Sequence, residues 1–362
     1  MPVSQKTVVV GMSGGVDSSV SALLLKEQGY RVIGLFMKNW EEKNLDGECT
    51  SAKDYEDVAN VCKTLQIPYY SVNFVQEYWD FVFHHFVEEL KLGYTPNPDI
   101  LCNKEIKFHL FFKKALELGA DFLATGHYAQ ISSNSLLKGL DPGKDQTYFL
   151  YTLKQEILSK VLFPIGHLHK KEVRALALAN NLTTATKKDS TGICFIGKRD
   201  FKEFISKYIP YQKGLFLTLD GKKLGEHEGM AYYTIGQRKG LKIGGPGDAW
   251  FVVDKDPDNN IVYLAQGEEH PALYSYELTA TDVHWIGLVP TFPFSCHAKI
   301  RYRQPEQECI ITETQPGMLY IQFTNPQRAI TSRQSIVFYS GNECLGGAMI
   351  QKRGISLYEA SK

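Results

Sequence analysis

The run Gly11-Met12-Ser13-Gly14-Gly15-Val16-Asp17-Ser18-Ser19 decides how this chain is read. It follows Thr7-Val8-Val9-Val10, a β-branched run with the signature of a buried strand, and precedes Val20 to Gln28, which is apolar-rich and of helical length. The order is strand, glycine turn, helix. Glycines let a backbone approach an anion closely, Ser13, Ser18 and Ser19 supply hydroxyls, and the unpaired amides of a helix start favour negative charge. The turn is therefore suited to a phosphate. A glycine turn capped by Asp17 or Ser18 is the plainer alternative.

Working outward, Gly29 stops the first helix and Arg31 to Met37 supplies a second strand, so the two strands are expected to pair in parallel. Ligands of open α/β sheets gather at the carboxyl ends of strands, which places Met37 either over an adenine or as an ordinary strand-end methionine. Ala52 to Leu65 is patterned as a helix, Tyr69 to Phe74 as a strand, and Gln76 to Leu92 as a long helix ended by Gly93. His84 and His85 in that helix have no partners at metal spacing. The prolines of Tyr94-Thr95-Pro96-Asn97-Pro98-Asp99 imply an extended loop, with a helix resuming from Ile106 to Leu118. Cys102 then falls at or near a helix start beside Lys104 and Lys107, conditions that lower a thiol pKa, although a lone cysteine is also a good small core residue. Asp99 is suited to capping or to proton transfer.

Ala120 to Tyr128 is expected to form a strand whose Gly126 and His127 face the same cleft as the first loop. Asp141 to Tyr148 is expected to turn into a further helix, and Lys170 to Asn180 forms another. The polar loop from Thr183 to Arg199 carries Cys194 among four basic residues. From Lys213 the texture changes to short segments (Leu215 to Leu219, Ala231 to Ile235, Trp250 to Val253, Ile261 to Leu264) around a basic loop, Gly236 to Lys242. From Tyr276 more strands follow at even spacing, including a basic one, Lys299-Ile300-Arg301-Tyr302-Arg303. The expected architecture is a doubly wound parallel α/β domain over 1–210, a small β-rich domain over 211–272 and a C-terminal antiparallel barrel over 273–362.

Forty basic and forty acidic residues cancel among 362, so any nucleic-acid surface must come from local clustering. Seven cysteines form no Cys-x-x-Cys pair, which argues against zinc ribbons and secreted disulfide scaffolds and for a reduced, cytoplasmic chain. No apolar run is long enough to span a membrane.

Ser-Gly-Gly-Val-Asp-Ser resembles the PP-loop of ATP pyrophosphatases, which cleave ATP between the α- and β-phosphates. That motif together with Thr95-Pro96-Asn97-Pro98-Asp99-Ile100-Leu101-Cys102-Asn103-Lys104, Ala124-Thr125-Gly126-His127-Tyr128, Lys144-Asp145-Gln146-Thr147-Tyr148, Ser190-Thr191-Gly192-Ile193-Cys194 and Gly236-Gln237-Arg238-Lys239-Gly240-Leu241 closely resembles the bacterial tRNA-specific 2-thiouridylase family, from the first strand to the last. The resemblance implies thiolation of the wobble uridine of tRNAs for lysine, glutamate and glutamine. By position it implies ATP binding by Gly11, Met12, Ser13, Gly14, Gly15, Val16, Asp17, Ser18, Met37 and Gly126. It makes Cys102 the nucleophile, Cys194 the persulfide carrier, and the two partners in a transient disulfide. Asn97, Pro98 and Asp99 would meet the target base, with Asp99 placed for proton transfer. His127, Lys144, Asp145, Gln146, Arg301, Tyr302 and Gln334 would contact or shape the tRNA site. It further implies Mg²⁺ with the ATP, and a sulfur-carrier protein or cysteine desulfurase as persulfide donor. Two rivals remain: an amidotransferase or ligase on the same loop, needing neither cysteine, and an RNA-binding adaptor with a decayed nucleotide site.

Overall fold

The computed structural model describes residues 5–41, 50–189 and 200–362. Strands β1 (Thr7–Met12), β2 (Arg31–Lys38), β3 (Tyr69–Asn73), β4 (Phe122–Ala124), a hairpin of β5 (Ala129–Ser132) and β6 (Ser135–Lys138), and β7 (Val161–Leu162) come first in the chain. Five of them form a parallel sheet ordered β3-β2-β1-β4-β7. Alternation along β1 divides the core: Val8, Val10 and Met12 pack on helices α1 (Val16–Glu27) and α2 (Thr50–Leu65) and the helix Lys170–Ala179. Val9 packs on the opposite face, against the helices over 75–91 and 98–117. A sheet covered on both sides explains why its central strands read as continuous apolar runs.

Several boundaries differ from the sequence reading. The first helix begins at Val16, so Asp17 and Ser18 sit in its first turn rather than before it; its cap, Gly15, has no side chain to offer. The helix expected from Ile106 begins at Pro98, because the Asn97 side chain accepts from the Asp99 amide at 3.1 Å and a proline suits the first helical position. Wider turns run through Trp79–Phe83 and Cys102–Phe111. The strand around Gly126 stops at Ala124. The helix expected after Asp141 shrinks to one tight turn, Thr147–Phe149.

The middle module orders its strands β10-β11-β8-β9, with β8 (Gly214–Thr218), β9 (Lys223–His227), β10 (Trp250–Asp256) and β11 (Ile261–Gln266). Ala231 to Ile235 is no strand: Met230–Tyr232 is a buried 3₁₀ turn, apolar because it packs in the seam against the first module, where Met230 meets Gly93. Strands β12 (Tyr274–Trp285), β13 (Phe294–Lys299), β14 (Gln307–Gln315), β15 (Met318–Arg328), β16 (Ser335–Ser340) and β17 (Glu343–Arg353) form an antiparallel barrel, closed by pairing of β12 with β17. The expected basic strand ends at Lys299, leaving Arg301 and Tyr302 in the following turn. The β5–β6 hairpin of the first module adds to the barrel sheet through Leu136 and Leu137, paired with Cys344 and Glu343. Ser133 and Asn134 turn this hairpin with φ of 49° and 64°, the double left-handed geometry that suits strand twist.

Candidate active site

The sheet order reverses between β1 and β4, and an open parallel sheet splits at its carboxyl edge where its order reverses. The loop Ser13-Gly14-Gly15 sits at the end of β1, and Gly126 sits just beyond β4. A Cβ on Gly126 would lie 2.8 Å from the Ser18 nitrogen, so the bare backbone closes directly onto the start of α1. Gly14 adopts φ +73° with Asp54 carbonyl oxygen 2.7 Å from where a Cβ would be, which explains the glycine. Ser18 ties the loop together: its hydroxyl accepts from the Ser13 amide at 3.2 Å and donates to the Gly15 carbonyl at 3.1 Å. Met12 and Val16 are buried, so only their backbones can face a ligand. Met37 is half-buried near the carboxyl end of β2.

A web of charge surrounds the loop. Lys170 Nζ lies 2.7 and 2.8 Å from the two Asp17 oxygens and 2.9 Å from Asp189. The Tyr128 hydroxyl donates to Asp17 at 2.8 Å. Asp189 also holds Lys144 and Arg174, each at 2.7 Å. Burial pushes the Asp189 carboxyl up, but hydrogen bonds from Lys144 and Lys170 outweigh this and hold it at about 2. Lys187 Nζ donates to the Gly14 carbonyl at 2.9 Å and pairs with Asp54 and Asp57. A burial penalty on this ammonium is outweighed by those two carboxylates, which raise its pKa. The cradle therefore carries lysines whose carboxylate partners an incoming polyphosphate would compete with.

The helix over 98–117 carries the thiol. Cys102 is 3% exposed, within the apolar cluster that covers Val9, Ile33 and Leu35. Because the helix starts at Pro98, Cys102 is its fifth residue, with its amide already bonded to the Pro98 and Asp99 carbonyls. The first-turn dipole advantage expected for it is thus largely spent elsewhere, and Lys104 pairs with Glu105 at 3.5 Å. Burial pushes the Asp99 carboxyl up against the opposing pull of Lys107. Further along, Phe111 packs at the end of β1, with Cε1 3.1 Å from where a Gly11 Cβ would be. This contact brings the cysteine helix against the nucleotide loop.

Over residues 6–198 the sequence matches the family described as tRNA methyl transferase HUP domain, over 202–266 the tRNA methyl transferase PRC-barrel domain, and over 275–350 the Aminomethyltransferase beta-barrel domain. The tRNA-specific 2-thiouridylase MnmA of Protochlamydia amoebophila is 60% identical over 364 residues, 99% of this chain and 97% of that protein. Its counterpart in Halalkalibacterium halodurans is 58% identical over 96% of this chain and 95% of that protein. The chain belongs to the tRNA-specific 2-thiouridylase family. Among solved structures, the U34-tRNA thiolase NcsA from Methanococcus maripaludis overlaps 56% of this chain and 65% of that one, at 21% identity and a TM-score of 0.36.

Within this 2-thiouridylase, the residues expected at the tRNA take unequal positions. His127 is buried, its Nδ1 2.8 Å from the Thr125 hydroxyl, between the rings of Phe108 and Phe163. Burial, reinforced by Lys107, holds its imidazole well below the usual range, so it is neutral. Asp145 is also buried, accepting from the Gly139 amide at 3.0 Å and the Thr147 hydroxyl at 3.0 Å. Both side chains lie beneath the surface. Gln146 accepts from the Tyr128 amide at 2.9 Å. Arg301 turns inward, donating to the Ala329 carbonyl at 2.8 Å and the Ile235 carbonyl at 3.0 Å. Tyr302 packs on Phe149 at 4.5 Å, and Gln334 donates to the Thr95 carbonyl. Cys194 and its motif lie outside the described residues, as does the Cys102 to Cys194 pairing.

Sequence reasoning missed Lys170, Lys187, Asp189, Arg174 and Tyr128. One signal was available: Lys170 and Lys171 open a helix whose positive dipole end disfavours cations. A helix that starts on lysines against its own dipole points to an anion nearby.

Proposed function

We propose that this chain replaces the C2 oxygen of the wobble uridine of tRNA with sulfur, at the expense of ATP. The observation that carries this reading is the junction of the two motifs: the phosphate loop and the buried cysteine helix meet at the end of β1, through Phe111 on Gly11. The C2 oxygen is a poor leaving group. Its attack on the α-phosphate of ATP breaks the α–β bond, releases pyrophosphate into the Ser13 to Ser18 loop and leaves AMP on the oxygen. Lys170 and Lys187 face the charge that develops there.

Asp17, one-third exposed beside the loop, would hold Mg²⁺ together with the phosphates once Lys170 turned from it to the phosphates, and the ion would supply charge neutralisation. Sulfur arrives as a persulfide on Cys194, loaded by a sulfur-carrier protein or desulfurase. Four residues of chain separate Cys194 from Asp189, which is bonded into the cradle, and this supports delivery into the same cleft. The terminal sulfur attacks C2 and AMP departs, and the Cys102 thiolate then attacks the Cys194 sulfur and breaks the persulfide S–S bond; alternatively Cys102 attacks Cys194 first and frees sulfide, which adds to C2 and displaces AMP. Either route leaves a Cys102 to Cys194 disulfide that two electrons must reduce. Asn97, Pro98 and Asp99 open the cysteine helix and present the base to it. Asp99, with its carboxyl raised by burial, is suited to carry a proton.

The test is mass spectrometry of nucleosides after incubating tRNA, ATP and a persulfide donor with the wild type, Cys102→Ala and Cys194→Ala. An oxygen-for-sulfur mass gain in the wild type alone supports the reading. Full activity in both variants rejects the relay.

A further inference from the structure

The segment that leads into the Cys102 helix is gripped by both β modules. From the barrel, Arg333 pairs with Glu89 at 2.9 Å and places its guanidinium 4.9 Å over the Tyr94 ring, while Gln334 donates to the Thr95 carbonyl. From the middle module, Lys255 reaches across to donate to the Gly93 carbonyl at 2.8 Å, and the Thr95 and Thr234 hydroxyls meet at 3.5 Å. Gly93 has φ +80°, and a Cβ there would lie 2.7 Å from Met230 Sδ, so the seam closes on bare backbone.

The backbone from this seam to the thiol is stiff. Only Pro96 separates Thr95 from the Asn97 cap, and Pro98 starts the helix one turn before Cys102. Two prolines restrict both their own φ and the residues before them, so a shift at residues 93–95 is carried to Asp99 and Cys102 rather than absorbed. Glu89 is 9% exposed and Lys255 is half-buried, its amine drawn down to about 7 by burial; a merely decorative surface contact would not draw two ionisable groups into a seam.

We propose that Lys255 and Arg333 are positioning residues that make the placement of Asp99 and Cys102 depend on how the middle module and the barrel seat, so that tRNA bound across those modules aligns the thiol with the wobble uridine. The proposal rests on Cys102 being the nucleophile. Neither residue touches the base: they act through residues 93–95.

The full chain is assayed for thiolation as Lys255→Met, Arg333→Ala, Arg333→Lys and Cys102→Ser, with kcat and KM for tRNA separated. Alkylation of Cys102 by iodoacetamide is followed by peptide mass spectrometry with and without tRNA. Lys255→Met and Arg333→Ala are expected to lower kcat about tenfold or more, the scale of a small misplacement, with KM for tRNA within about threefold. Arg333→Lys, which keeps the charge on Glu89, should recover much of the rate. A tRNA-dependent change in Cys102 alkylation should be present in the wild type and absent in the first two variants. Wild-type kcat in both variants, or a rise in KM with kcat untouched, overturns the proposal. Should a variant fail to fold, hydrogen exchange on the wild type decides: amides of residues 98–102 must gain protection when tRNA binds, and unchanged protection overturns it. Thiolation that persists in Cys102→Ser sinks the nucleophile reading itself, whereas an inactive Cys102→Ser beside unaltered coupling variants sinks only the coupling.

Discussion

Gly126 leaves no room for even a methyl group, because the start of α1 already occupies the place where it would sit. Overpacking against backbone cannot be relieved by a rotamer change and costs about 1–3 kcal/mol. Gly126→Ala should therefore push the helix start out of the cradle and weaken ATP binding at least about tenfold, measurable by isothermal titration calorimetry; unchanged affinity would remove Gly126 from the site. Asp189 poses a different question, of charge. Its folded value of about 2 lies below the ordinary 3.8, so its contribution to stability is complete above the ordinary value and is lost as pH falls through about 2. Melting curves taken from neutral to acid should show the wild type losing this component, and Asp189→Asn should lack it. Equal acid slopes in the two proteins would contradict the pairing with Lys144, Lys170 and Arg174.

Elements carry conflicts that single residues do not. The helix Lys170–Ala179 opens with two lysines at its positive end, a choice that local propensity opposes by a few tenths of a kcal/mol. Glu172 returns a capping bond to the His169 amide at 2.7 Å and offsets part of that cost. Lys170→Ala removes that cost but also a partner of Asp17 and Asp189, so it should lower the melting temperature only modestly while cutting release of AMP and pyrophosphate about a hundredfold, the scale of removing one donor to a developing oxyanion. A variant that melts early and still turns over ATP would make Lys170 structural. The helix over 98–117 shows the same tension, since its wider turns begin at Cys102 itself. Departures of this kind are common at functional positions.

At the scale of the molecule, three modules share surfaces that none can cover alone. The β5–β6 hairpin lies in the first module and pairs with the barrel, while the Tyr148 hydroxyl donates to the Ser335 carbonyl at 2.8 Å and Tyr151 meets the Ser335 hydroxyl at 3.0 Å. Phe216, Val252, Val262 and Leu264 of the middle module belong to the same apolar cluster as Val9 and Ile106, whereas Phe251 and Val253 face the cluster that holds Leu273 and Ala329. A chain truncated to residues 1–210 would expose an unpaired hairpin edge together with buried Leu136, Tyr148 and Tyr151. Such a fragment should elute as aggregate in size-exclusion chromatography, and the whole chain should melt in one transition. A monodisperse, folded fragment would show that the modules are independent.

The phosphate loop was legible in the sequence because nine adjacent residues build it, with a β-branched strand before and an apolar helix after; local geometry needs no distant partner. The cysteine helix was legible but misplaced: the prolines at 96 and 98 looked like an extended loop and periodicity put the start at Ile106, whereas Asn97 caps a helix that begins at Pro98. The charge web was not legible: Asp17 meets Tyr128 from 111 residues away and Lys170 from 153, and Lys187 reaches Gly14 across 173. Nor did charge patterning reveal that Arg301 turns inward, since alternation looks alike on a solvent face and in a seam. Residue types and their order determined a parallel α/β module with a glycine-serine loop at the end of its first strand. Only tertiary structure decided which charges complete that cradle and which strands hold the cysteine helix in place, because contacts between distant segments form only after folding has repaid the entropy of closing the loops between them.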